Sequence, residues 1–306
     1  MANSQTIRVK SIKEFNCLAG VGVPQHPLIC LIDYSTIKNP DRDDIANIVF
    51  DFYSIAMKRN IGGKLHYGQQ IYDFDEGVMS FVAPGQVLRL EKEQNVTENR
   101  SGYLLLIHPD FFWGTPLAKG IKKYDFFNYA INEALFLSEK EEQVLIGIME
   151  NIKLEYHKDI DKFTQSIIIS QIETLLNYAD RFYQRQFVTR KITNHQSLSK
   201  VEEFLDNYFN SENLSINGLP TVQMLANHLH LSPVYLSNLL KQFTGLSALQ
   251  HIHEKLMEKA KEKLSTTSLS VSEIAYELGF EHSQSFSKLF KSKTNQSPLE
   301  FRAGFN

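Results

Sequence analysis

Val222-Gln-Met-Leu-Ala-Asn-His-Leu229 and Val271-Ser-Glu-Ile-Ala-Tyr-Glu-Leu278 are two versions of one stretch. At an offset of 49 residues, Val222 matches Val271, Leu225 matches Ile274, Ala226 matches Ala275, Leu229 matches Leu278 and Leu231 matches Phe280. Past a one-residue insertion the offset becomes 50, and Leu236, Leu239, Leu240, Lys241 and Thr244 match Phe286, Leu289, Phe290, Lys291 and Thr294. The apolar positions recur every three or four residues, the period of a helix with one buried face. Four residues past each alanine stands a turn residue, His230 in the first copy and Gly279 in the second. Glycine reaches positive φ without strain, and histidine is somewhat enriched there. Ser232-Pro233 supplies an N-cap and a first-turn proline for the helix that follows. Ser270 with Glu273 forms a capping box.

Each copy therefore reads as a short helix, a tight turn and a second helix. That is helix-turn-helix architecture, whose second helix enters the major groove of DNA. Between the copies, Ile252, Leu256, Ala260 and Leu264 lie at helical spacing. They predict a continuous helix over Ala248 to Leu264 that holds the two units at a fixed separation. Glu254, Lys255, Glu258, Lys259, Glu262 and Lys263 mark its solvated face.

Ile274-Ala275-Tyr-Glu-Leu-Gly279-Phe280, Ser285-Phe286-Ser-Lys288-Leu-Phe290-Lys291 and Ser297-Pro298-Leu-Glu-Phe301-Arg302 resemble the signature of the AraC/XylS family. The specific match covers about 30 residues, and the wider resemblance runs over roughly Leu198 to Phe305. It implies a transcription regulator, commonly with an N-terminal cupin-like domain that binds a small effector, and RNA polymerase as a further partner. The chain departs from the family pattern at Ala248, where proline is frequent, at Leu256, where arginine is frequent, and at Asn295, where glycine is expected. By alignment, the DNA-facing positions fall on Val234, Ser237, Asn238 and Lys241 in the first unit, and on Ser283, Gln284, Ser287 and Lys288 in the second. Helical geometry places them opposite the apolar set, and Asn, Gln, Ser and Lys all have groups that read base edges or phosphates.

Residues 1 to about 110 predict strands: Leu28 to Tyr34, Val49 to Met57, Gln70 to Phe74, Val78 to Val82 and Tyr103 to Ile107 are rich in Val, Ile, Tyr and Phe. Gly62-Gly63, Glu76-Gly77 and Pro84-Gly85 separate them. A small antiparallel barrel or sandwich is expected. Two amphipathic helices follow. The first opens on the Ser138 and Glu141 capping box and carries Val144, Leu145, Ile148, Met149 and Ile152. The second carries Phe163, Ile167, Ile168, Ile172, Leu175, Leu176, Ala179 and Phe182. They either pack on the barrel or pair with another subunit, and a homodimer is expected. The fold class is α+β: a cupin-like effector-binding antiparallel β-barrel over 1–137, a helical segment over 138–190, a polar linker over 191–199 and an all-α tandem helix-turn-helix domain over 200–306.

Lys64, His66 and Arg89 are the candidate polar contacts to an effector. Tyr53, Tyr67, Tyr72, Phe74, Phe81 and Tyr103 either line its pocket or fill the barrel core. His26, His66 and His108 lack the His-x-His pairing of a metal-binding cupin, and His228-x-His230 and His251-x-His253 fall in helical segments, where residues two apart do not share a face. No catalytic motif is visible, and neither an enzyme, a metal site nor a cofactor is expected. Cys17 and Cys30 are the only cysteines and read as buried free thiols. No apolar run reaches membrane-span length, and Met1 to Lys10 has no signal-peptide core, so a cytoplasmic protein without membrane contact is expected.

One observation opposes DNA binding. The net charge is −3, and from residue 197 onward 10 Lys and Arg face 11 Asp and Glu. A helical interaction module without DNA binding, fused to a small-molecule-binding barrel, is the alternative that this charge favours. Basic residues concentrate only near the C-terminus, at Lys288, Lys291, Lys293 and Arg302.

Overall fold

A strand buried on both faces must be apolar at successive positions rather than at alternate ones. Leu104, Leu105, Leu106 and Ile107 satisfy that rule, and all four are buried in the computed structural model. The structure describes residues 5–37, 45–59, 65–67, 70–72, 77–89, 101–130, 133–159, 161–189, 191–211, 214 and 217–304. It divides into two compact units, Met1–Gln186 and Phe187–Asn306.

In the first unit the strands are β1 (Gln5–Val9), β2 (Ile29–Asp33), β3 (Ile45–Phe50), β4 (Tyr53–Arg59), β5 (Leu65–Tyr67), β6 (Gln70–Tyr72), β7 (Val78–Val82), β8 (Val87–Arg89), β9 (Ser101–Ile107) and β10 (Leu135–Phe136). Five form an antiparallel sheet in the order β10-β7-β4-β9-β2. Three form a second sheet, β1-β3-β8, in which β1 and β3 run parallel. β5 and β6 pair as a separate ribbon. The expected closed barrel is therefore corrected: among the described residues the strands lie in separate open sheets. The stretch Val49 to Met57 reads as one strand but is two. The chain turns at Asp51 and Phe52, where the Asp51 N–H donates to the Val9 carbonyl at 3.0 Å and Asp51 pairs with Arg8 at 2.8 Å. A run of apolar residues does not reveal a corner when both of its sides enter the core. Gly102 is required where it stands. Its φ is 125°, and a Cβ there would meet the Met57 carbonyl oxygen at 2.0 Å.

The helix Thr164–Thr189 contributes Ile168, Ile172, Leu175, Leu176 and Ala179 to this unit's core. The helix Glu139–Tyr156 buries Leu145, Ile148, Met149 and Ile152, while Val144 remains 39% exposed. The Ser138 N–H donates to Glu141 at 2.9 Å, as the box requires. An aromatic cluster joins the sheet to the short turns over residues 109–128. Phe81 lies 4.4 Å from Phe126, which stacks on Tyr183 at 5.5 Å, and Tyr53 lies between Phe112 and Phe127. Phe81 is thus core. Cys30 is buried, but Cys17 is exposed, which corrects the expectation for that residue. It lies on the outer side of the short helix Ile12–Leu18, whose buried residues are Ile12 and Asn16. No helix among the described residues is long and apolar enough to cross a membrane.

The second unit is helical. Residues 191–199, read as a linker, are the first half of a helix spanning Lys191–Phe209, and Val201, Leu205, Tyr208 and Phe209 on that helix are buried. Helices Val222–Leu229, Pro233–Thr244, Ala248–Thr266, Val271–Glu277, Ser283–Thr294 and Pro298–Ala303 follow.

Candidate nucleic-acid interface

The two helix-turn-helix units are built as the repeat requires. In the first, Thr221 caps the leading helix, His230 adopts the left-handed conformation at φ 57°, and the Ser232 side chain accepts from the Tyr235 N–H at the start of the recognition helix, Pro233–Thr244. In the second, the Ser270 and Glu273 box caps the leading helix, Gly279 sits at φ 80°, and Ser283–Thr294 is the recognition helix. The two turn residues meet different surroundings. A Cβ on Gly279 would come within 3.0 Å of the Gly218 and Leu214 backbones, whereas His230 is exposed. Only the second turn thus demands glycine on both steric counts.

Each recognition helix is anchored by its apolar side. Tyr235, Leu236, Leu239 and Leu240 are buried in the first. In the second, Phe286 and Phe290 are buried in a chain of ring contacts from Phe280 through Phe286 and Phe290 to Phe301, at 5.4, 5.7 and 5.5 Å. The connecting helix, Ala248–Thr266, buries Ile252, Leu256, Ala260 and Leu264. Arg302, on the last helix, donates from Nε to the Leu264 carbonyl at 3.1 Å.

The eight predicted DNA-facing residues lie away from these cores. Val234, Ser237, Asn238 and Lys241 form a stripe at spacings of three, four and seven residues; Lys241 is exposed and the others are half-buried. Ser283 and Ser287 are half-buried, and Gln284 and Lys288 are exposed. Lys291 was absent from the predicted set but is exposed and is the repeat counterpart of Lys241. The 50-residue offset was the signal that marks it.

The charge balance looks different once each carboxylate is placed. Glu273 and Glu300 accept hydrogen bonds from the Ser270 and Ser297 N–H groups, both at 2.7 Å, which hold their pKa values below the usual range. Asp206, Glu258, Glu262 and Glu277 pair with Lys255, Lys259 and Lys263 at 2.5 to 3.0 Å. Pairs of this kind contribute little stability each, but they set Glu258 and Glu262 of the connecting helix against its own lysines. Lys241, Lys288, Lys291 and Lys293 make no ion pair among the described residues. Net charge near zero thus coexists with exposed lysines on and beside the recognition helices, of which Lys291 is near enough to help lower the pKa of Glu300.

A family described as "Helix-turn-helix domain" matches residues 225–304. The arabinose operon regulatory protein of Salmonella typhimurium is 39% identical over 83 residues, covering 27% of this chain and 30% of the relative. The HTH-type transcriptional regulator YfiF of Bacillus subtilis, itself uncharacterized, is 31% identical over 144 residues, 47% of this chain and 42% of the relative. The chain carries an AraC-type helix-turn-helix domain. The C-terminal domain of the response regulator yesN from Fusobacterium nucleatum is 34% identical, covers 33% of this chain and 96% of that one, and has a TM-score of 0.29. The chain spans less than half the length of the two full-length relatives. These relatives are transcription regulators, not enzymes. Within the AraC-type domain, Leu256 is completely buried, so the family's frequent arginine has no place at this position. Asn295 takes the left-handed conformation at φ 60°, fulfilling the role of the expected glycine.

The candidate effector contacts have a different status. Lys64 lies outside the described residues, as do the side chains of His66 and Arg89 and all of Phe74. Backbone pairing sets His66 opposite Ile71 and Arg89 opposite Asn47. A cavity of about 420 Å³ lies elsewhere in the first unit, lined by His26, Ile29, Phe111, Tyr156, Gln165 and Ile168 among others. His26 Nδ1 accepts from the Leu28 N–H at 3.1 Å, and burial lowers the pKa of its imidazole.

Proposed function

We propose that this chain is a sequence-specific, DNA-binding transcription regulator that reads two adjacent major-groove segments of double-stranded DNA, one with each recognition helix. The observation that carries this reading is the pairing of two anchored recognition helices with exposed lysines at equivalent places, Lys241 and Lys291. Val234, Ser237, Asn238 and Lys241 would read one segment, and Ser283, Gln284, Ser287 and Lys288 the other. Selection of bound duplexes from random DNA by the full chain tests the proposal. Two short preferred blocks about one helical turn apart are expected; recovery of random sequence contradicts it.

The first unit supplies control in this reading. We assign it a cupin-like relation from the family plan, and a small effector as ligand. Its cavity has the volume of a small-molecule site. A homodimer is proposed through the outer side of Thr164–Thr189 and the turn before it, where Phe163 is 55% and Ile167 42% exposed. RNA polymerase as a partner rests on family analogy alone.

A further inference from the structure

The two helix-turn-helix units end in the same device. Near the end of each recognition helix a threonine hydroxyl bonds back to its own helix: Thr244 donates to the Leu240 carbonyl at 2.9 Å, and Thr294 to that of Phe290 at 2.8 Å. Each hydroxyl also accepts from the N–H two residues on, Leu246 at 3.1 Å and Gln296 at 3.3 Å. A left-handed residue then stops the helix, Gly245 at φ 78° and Asn295 at φ 60°. A capping box opens the next one, Ser247 with Gln250 and Ser297 with Glu300.

The departure falls on the fourth residue of that next helix. In the second unit it is Phe301, which meets Phe290 edge-on at 5.5 Å. In the first it is His251, whose Nε2 lies 2.7 Å from the Thr244 hydroxyl oxygen. The contact is a hydrogen bond in either sense: the imidazole donates when the hydroxyl proton goes to Leu240, and the hydroxyl donates when Nε2 is unprotonated. The ring is half-buried, and burial lowers its pKa against the upward pull of Glu202 and Glu254. A neutral imidazole therefore makes a directional bond between the end of the first recognition helix and the start of the connecting helix. The second unit has a non-directional ring contact in its place.

We propose that His251 is a positioning residue: through Thr244 it fixes the aim of the first recognition helix, and with it the base preference of Val234, Ser237 and Asn238. Base readout by short side chains tolerates displacements of only a fraction of an ångström, so a lock on the helix end governs discrimination more than affinity. The proposal rests on the DNA-binding reading above.

The test uses the full chain and its variants His251→Phe, His251→Gln and Thr244→Val, each profiled against random DNA and titrated with salt. Phenylalanine is the residue of the second unit at this place, and valine matches threonine in shape. His251→Phe and Thr244→Val should each lower discrimination at the bases read by the first unit by roughly 3- to 10-fold, the effect of one net hydrogen bond. The block read by the second unit and the salt slope should not change. The double variant should lose no more than Thr244→Val alone, because the effect of His251 passes through the hydroxyl that this variant removes. His251→Gln, which keeps both a donor and an acceptor, should remain within about twofold of the parent. Equal losses in both blocks, additive losses in the double variant, or an unchanged profile in Thr244→Val while the parent binds specifically would each overturn the proposal alone. Absence of binding by the parent chain would overturn the DNA-binding reading and this proposal with it.

Discussion

Gly279 and His230 occupy the same place in the two repeats, and their neighbours decide what each tolerates. Gly279→Ala should destabilise the second unit by more than the roughly 1–2 kcal/mol of a left-handed alanine, because its new Cβ would also crowd the Gly218 backbone. His230→Gly should be neutral or stabilising, since the exposed His230 already bears the left-handed strain. Chemical denaturation of both variants checks the contrast. The turn residues were legible because positive φ leaves a signature in residue type, and His230, Gly279 and Asn295 all carried it. The fate of Cys17 was not legible, since exposure depends on which side of a short helix meets the sheet. The readout residues divide by chemistry. Asn238→Ala should relax preference in one block and leave the salt slope unchanged, since an asparagine-adenine pair discriminates by roughly 1–3 kcal/mol without charge. Lys288→Ala should weaken binding and lower the salt slope by about 0.9 if it neutralises one phosphate. Binding selections repeated at several salt concentrations measure both.

At the scale of elements, the connecting helix was readable because its buried positions follow one period from Ile252 to Leu264, and all four are buried. Leu256→Ala should cost about 2–5 kcal/mol, the range for a fully buried leucine, and should abolish binding by both recognition helices together; a denaturation curve unchanged from the parent would contradict that packing. The strand region was half legible. Val78 to Val82 matches its strand, whereas Val49 to Met57 concealed a corner between two sheets. The short turns over residues 109–128 went unread because they bury Phe111, Phe112, Phe126 and Phe127 without a helical or alternating period. The wide apolar stripe of the helix Thr164–Thr189 resolves into two parts, with Leu175 and Phe182 in the core and Phe163 and Ile167 outside. Phe163→Ser with Ile167→Ser should leave the fold intact and shift the full chain toward monomer in sedimentation at micromolar concentration. A parent that is already a strict monomer would end the dimer proposal.

For the whole molecule, the division after Gln186 predicts that residues 187–306 fold alone. A cut at residue 196 would remove the start of the helix that carries Val201 and Leu205 and should be less stable by circular dichroism. The pH dependence of that fragment has a definite sign. Burial lowers the pKa values of His251 and His253, so the folded state takes up protons at lower pH than the unfolded chain. Stability should be full above the ordinary histidine value of 6.5 and should fall as pH drops from there toward the lowered values. Glu273 and Glu300, held below their usual range, remain ionised through that window. Thermal unfolding between pH 8 and pH 5.5 checks this, and replacing both histidines with glutamine should flatten the curve. At this scale the sequence was misleading in one respect. A net charge of −3 argued against nucleic acid, because a sum over residues does not show where the charges lie, and Lys241, Lys288 and Lys291 are exposed on the recognition helices. The most direct test of the central claim is therefore the affinity of the full chain for its selected duplex as a function of salt. Counterion release by Lys241, Lys288 and Lys291 predicts that log K falls linearly with log salt, with a slope of about −0.9 for each phosphate neutralised. A slope near zero, with the chain folded, would contradict it.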